Sequence, residues 1–130
     1  MNKIESWPAI ADIALKVQTG EVTAISMVEK ALKAIDKSAE YNAILSTTAA
    51  RARLRAAKID EQVKNGKKVG KLAGVPFIAK DNFLAFGAPT TAGSHILENF
   101  EAPYQATAII NLEAEGAILV AKSNLDAFAH

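Results

Sequence analysis

Cysteine is missing from all 130 residues, which excludes a disulfide framework, thiol catalysis and any Cys-based metal site. Imidazole is nearly as scarce. His95 and His130 are the two histidines, and neither has a partner at ligand spacing, so no metal centre is expected. Net charge is small as well, with 15 basic residues against 14 acidic ones, and gives no electrostatic reason to expect nucleic acid as a direct ligand. No apolar run approaches a membrane span, and the opening "MNKIESWPAI" lacks the unbroken apolar core of a signal peptide. A soluble, cytoplasmic protein without membrane contact is the expectation. Low-complexity segments and internal repeats are not found.

What is present is one domain's worth of chain, half of it hydrophobic, enough to bury a core. Residues 1–69 read as a helical section. Ile10, Ile13, Ala14 and Val17 fall on one helix face that ends at Gly20. Thr23 is placed to cap a second helix with Ile25, Val28, Leu32 and Ile35 as its buried stripe. "YNAILST" reads as a strand or as a tight link. Thr47 or Thr48 caps a third helix, "AARARLRAAKIDEQVKN", closed by Gly66. Its Arg51, Arg53, Arg55 and Lys58 are expected on a solvated face, since Asp60 and Glu61 dilute the basic run.

Residues 70–130 read as strand, loop, helix and strand. "GVPFIAK" is a strand entered through Pro76. "ATAIINLEAEG" is a helix with Thr107 as its cap and Gly116 at its end, and "AILVAKS" is a continuous apolar strand. Strand, helix and strand make a βαβ unit, and fully apolar strands suggest a sheet covered on both faces. The fold class is therefore α/β, with the N-terminal helices packed on the sheet.

Two features point to a site. About 26 residues separate Lys80 from Thr107, whereas connections beyond ~12–15 residues are uncommon unless functional or disordered. Phe83, Leu84, Phe86, Ile96, Leu97, Phe100 and Tyr104 make this one too apolar for disorder. An ordered loop leaving the carboxyl end of a strand is where open α/β sheets build sites. The stretch "APTTAGS" adds backbone N–H groups and the hydroxyls of Thr90, Thr91 and Ser94, although on composition a plain Gly/Ser/Thr turn explains it at least as well. Lys80 ends the apolar run at the mouth of that loop. An exposed lysine is protonated at neutral pH and is a poor base, whereas burial disfavours the charged form. Under cover, such a lysine takes a proton from a hydroxyl nucleophile, directly or through a second hydroxyl. On spacing alone, a charge pair surfacing at the strand end is the commoner explanation of Lys80 and Asp81.

"GKLAGVPFIAKDNF", "TTAGSHILENF" and "APYQATAIINLEAEGAILVAKSNLDAFAH" resemble the amidase signature family. Within it they are closest to the glutaminase component, the A subunit, of tRNA-dependent amidotransferases. The resemblance is dense from Gly70 to Ala129 and general before that, so residues 1–130 are expected to form the N-terminal portion of one amidase signature domain. It implies helices packed on part of a mixed sheet. It also implies a Ser–cis-Ser–Lys triad in which Lys80 is the lysine and acts on the nucleophilic serine through a bridging serine. Asp81 and Asn82 match residues that order the turn after the lysine, and Thr91 and Ser94 match polar support beside it. His130 stands at the edge of the implied pocket, where the glutaminase component usually has methionine. Ala121, Ala127, Gly93 and His95 also depart from the family pattern.

The glycine- and serine-rich segment that carries both serines of the triad matches nothing in this chain. The resemblance thus implies a parent enzyme that releases ammonia from glutamine, and a 130-residue polypeptide that is inactive by itself. The B and C subunits would be partners, tRNA would be met indirectly through a partner, and ATP and Mg would be used there, with no cofactor in this chain. Two other readings remain: part of a general amide hydrolase, and a stand-alone module without chemistry. An end just after a βα turn, with pairing strands missing, is expected to favour self-association or a complementary chain.

Overall fold

The computed structural model describes residues 8–41, 43–80, 83, 85–87 and 105–123. Helix α1 spans Ile10–Gln18 and buries Ile13, Ala14 and Val17. Ile10, expected on that face, lies in the first turn and is 57% exposed. Helix α2, Ala24–Lys37, begins at the cap read from the sequence, for Thr23 Oγ1 accepts the Ser26 N–H at 3.1 Å. Val28 and Leu32 are buried as expected, together with Ala24, Met27 and Ala31, while Ile25 and Ile35 pack partly covered against the core. Helix α3, Ala49–Lys64, supplies a second cap to α2. The Asp60 carboxylate accepts the backbone N–H groups of Ala24 and Ile25 at 2.6 and 3.1 Å. Helix starts leave such donors without intrahelical partners, and a carboxylate there also meets the positive end of the helix dipole.

Of the two readings of "YNAILST" the structure gives the strand: β1 is Ile44–Thr47. It joins β2, Pro76–Lys80, and β3, Ile118–Ser123, in a three-stranded sheet of order β1-β3-β2. β1 runs antiparallel to β3, and β2 runs parallel to it. Helix α4, Thr107–Ala114, lies between the two parallel strands in sequence, completing the βαβ unit. Its cap differs from expectation, since Ala106 occupies the capping position and Thr107 is already helical. Gly116 does close α4 with φ of +93°, and Gly116 and Ala117 donate to the carbonyls of Glu113 and Leu112. A side chain at Gly116 would strike the Val69 carbonyl, because the loops entering β2 and β3 touch here.

Five of the six residues of β3 are buried, as a central strand with both faces covered should be. Ile118, Val120 and Ala121 join the main core with α1, α2 and α3, while Leu119 packs with Ala79, Ala85 and Ile109 near α4. β2 departs from the expected full cover. It is an edge strand among the described residues, Ile78 is 48% exposed, and a groove of about 460 Å³ runs between it, Ile44 and Ile35.

Thr48 occupies the capping position of α3 without capping it. It is buried, its N–H reaches the Val120 carbonyl at 2.8 Å, and its Oγ1 donates to the Leu119 carbonyl at 2.7 Å. The hydroxyl therefore staples α3 to the central strand. Thr48→Val should cost about 1–3 kcal/mol by stranding a buried carbonyl, whereas Thr47→Ala, at an exposed position, should cost under about 0.5 kcal/mol. Urea denaturation of both variants checks this, and equal midpoints would contradict it.

Candidate active site

The carboxyl ends of the parallel pair β2 and β3 bring Lys80 level with Ser123 and Ala79 level with Lys122. Lys80 is exposed. The cover expected over it is not supplied by the described residues, among which β2 also has a strand neighbour on one side alone. The Phe83 N–H donates to the Lys80 carbonyl at 3.0 Å. Asp81, Asn82, Thr91, Ser94 and His130, and with them Thr90, lie outside the described residues.

Lys122 is the residue that sequence reasoning passed over. It is fully buried at the end of β3 and donates from Nζ to the Phe83 carbonyl at 2.7 Å. The signal was a charge set in "AILVAKS", one position before the strand ends. Burying an ammonium is costly unless polar partners replace its water, and the Phe83 carbonyl is one of them.

A second polar group holds the same loop from below. The buried Gln105 side chain accepts the Phe86 N–H at 3.0 Å and donates to Glu113 of α4. Glu113, itself buried, takes both Arg51 guanidinium nitrogens Nη1 and Nη2, at 2.5 and 3.1 Å. Arg55 Nη2 donates to the Glu113 carbonyl at 3.0 Å; its Nε lies 3.0 Å from Oε2 but out of line for a hydrogen bond. Arg51 also stands 5.7 Å over the Phe86 ring, within cation–π range. The solvated face expected for these arginines is therefore corrected. Arg53, paired with Glu29, is exposed, but Arg51 and Arg55, four residues apart on one face of α3, turn inward to a buried carboxylate.

Burial pushes the Glu113 carboxyl up, but the hydrogen bonds of Arg51 and Gln105 and the charges of Arg55 and Arg51 outweigh it. The group is held below the usual glutamate range. Arg55 is lowered, by burial first, with the attraction of Glu113 opposing and the like charge of Arg51 adding; a guanidinium stays protonated all the same. Among the described residues no cluster of His, Asp or Glu is placed to hold a metal, and no helix is long and apolar enough to cross a membrane.

Such a strand end, with a lysine at the mouth of a tethered loop, suits proton transfer once hydroxyl groups are brought to it. Known proteins carry the same frame. The A subunit of glutamyl-tRNA(Gln) amidotransferase from Lachnospira eligens is 41% identical over 119 residues, which are 91% of this chain and 25% of that protein. Its namesake from Streptomyces avermitilis is 42% identical over 120 residues, 92% of this chain and 24% of the relative. The peptide amidase of Stenotrophomonas maltophilia superposes with a TM-score of 0.87 at 27% identity, covering 95% of this chain and 26% of the other. The chain spans about a quarter of the length of the curated relatives it matches. The Amidase family model matches residues 26–130, from α2 through the lysine strand to the last residue, and the chain belongs to the amidase family.

Proposed function

We propose that these 130 residues are the N-terminal, base-bearing portion of the glutamine-hydrolysing subunit of a tRNA-dependent amidotransferase. The observation that carries the reading is Lys80, at the carboxyl end of a parallel strand in the family's K-D-N block, within a chain about 40% identical to glutaminase-component relatives along nearly its whole length. In the complete site Lys80 accepts the proton of a bridging serine, which takes that of the nucleophilic serine. The nucleophile's oxygen attacks the side-chain amide carbon of glutamine. The C–N bond then breaks, nitrogen leaves as ammonia with the relayed proton, and water releases glutamate from the acyl-enzyme. Thr91 and Ser94 support the lysine by hydrogen bonding, Asp81 and Asn82 order its turn, and His130 lies at the pocket edge. The B and C subunits complete the assembly, a partner uses ATP and Mg on the charged tRNA, and the work is done in the cytoplasm.

Neither serine of the triad is matched in this chain, which sets the test. The 130-residue polypeptide should release no ammonia from glutamine by itself, and should do so when combined with the serine-bearing remainder of a glutaminase component. Ammonia release by the chain alone, or none from a folded combination, would sink the proposal. The likeness to a peptide amidase favours one second reading, a hydrolase of small amides. That reading expects the combined protein to cleave such amides and gain nothing from the B and C subunits.

A further inference from the structure

We infer that Lys122 is a positioning residue for Lys80, a role that rests on Lys80 being the base. Three observations meet at this side chain. It is 0% exposed, although every other residue of β3 from Ile118 to Ala121 is apolar. An apolar residue would fill the same space without burying an amine, so what the amine adds lies in its hydrogen bonding. One group it holds is the Phe83 carbonyl, 2.7 Å away, on the residue whose own N–H returns to the Lys80 carbonyl at 3.0 Å. Two hydrogen bonds in series thus join the interior of the central strand to the backbone of Lys80.

The geometry also says why the role is not catalytic. Lys122 is level with Ala79, and Lys80 with Ser123. Neighbouring strand residues point to opposite faces, so the two lysines leave the sheet on opposite sides. Lys122 packs on the side of Ala79 and Leu119, and it acts on the reaction through where it holds the chain. The four-carbon stem lets its amine reach past β2 to the turn, which a shorter polar residue would not do. A misplacement of a reacting group by ~1 Å is enough to cost about 100-fold in rate.

The test uses the enzyme combined from this chain and the serine-bearing remainder of a glutaminase component, with Lys122→Met, which keeps the length and removes the donor. We expect kcat for ammonia release to fall by roughly 10- to 100-fold with KM changed less than about twofold. Amide exchange should quicken at Phe83 and stay unchanged at Leu119 and Val120, a split that general loosening of the sheet would not produce. An unchanged kcat in Lys122→Met, beside a dead Lys80→Ala, overturns the positioning role alone. Activity surviving in Lys80→Ala overturns the reading of the base instead. If Lys122→Met does not fold, acylation of the unaltered protein decides. Lys122 should react at least about 100-fold more slowly than the exposed Lys58, because reagent must await local opening. Equal rates would overturn the buried bond.

Discussion

Replacing Lys80 by alanine should lower kcat for glutamine hydrolysis in the combined enzyme by about 10,000-fold, the upper range for loss of a general base that also activates a nucleophile. The effect should be purely chemical. Lys80 is exposed, and a surface substitution of this kind costs within about 0.5 kcal/mol of folding stability. The 130-residue variant should therefore melt with the parent chain. Lys80→Arg sharpens the result. It keeps the positive charge, but a guanidinium does not give up its proton near neutrality, so it cannot relay one. Both variants should be equally inactive. A rate within tenfold of the parent in either would mean that the lysine is only a surfacing charge at the end of a strand.

Glu113→Ala is the substitution expected to damage the fold most. The carboxylate is the shared acceptor of Arg51 and Gln105 and stands against Arg55 Nε. Both arginine side chains are about a quarter exposed, at 25% and 26%, so water takes up part of the loss. Breaking a buried pair from one side costs about 3–5 kcal/mol, and with that screening about 3 kcal/mol is expected, a drop of roughly 10 °C in melting temperature. The same carboxylate makes the protein sensitive to acid. Its folded pKa lies below the unfolded one, so the stabilisation is complete above the ordinary glutamate value and is lost as pH falls through the folded value. Glu113→Gln keeps the shape without the titration and should flatten that acidic limb. Urea midpoints at neutral pH and across the acidic range test both statements. A midpoint for Glu113→Ala equal to the parent's, or identical acid limbs for parent and Glu113→Gln, would show that the cluster adds nothing.

The helices were legible because their signals are local. Thr23 caps α2 from three residues away, and Gly66 and Gly116 close helices in the left-handed conformation that a side chain resists. The strand ending in Lys80 was legible for a similar reason, as an apolar run with a proline at its start. Long-range partners were not. Arg51 and Arg55 look like solvent residues until α4 brings a carboxylate 62 and 58 positions onward. Thr48 reads as a cap because its true acceptor is 71 residues away. Lys122 was hidden differently. A lysine at a strand end looks as if it surfaces, and the carbonyl that keeps it inside belongs to a neighbouring loop. The exposure of Ile78 escaped notice because hydrophobicity along a strand does not say which neighbours it has.

The strand order has a consequence for how the chain is made. Among the described residues β1 and β2 pair only with β3, and β3 is the last of the three in sequence. Thr47 must wait for Ala121 and Lys80 for Ser123, so the first ladder spans more than half of the chain. During synthesis the helices can gather early, since their contacts are nearer in sequence, but this sheet cannot form until residues 118–123 leave the ribosome tunnel. Until then two strands travel with unsatisfied edges, the condition under which nascent chains mispair or seek chaperones.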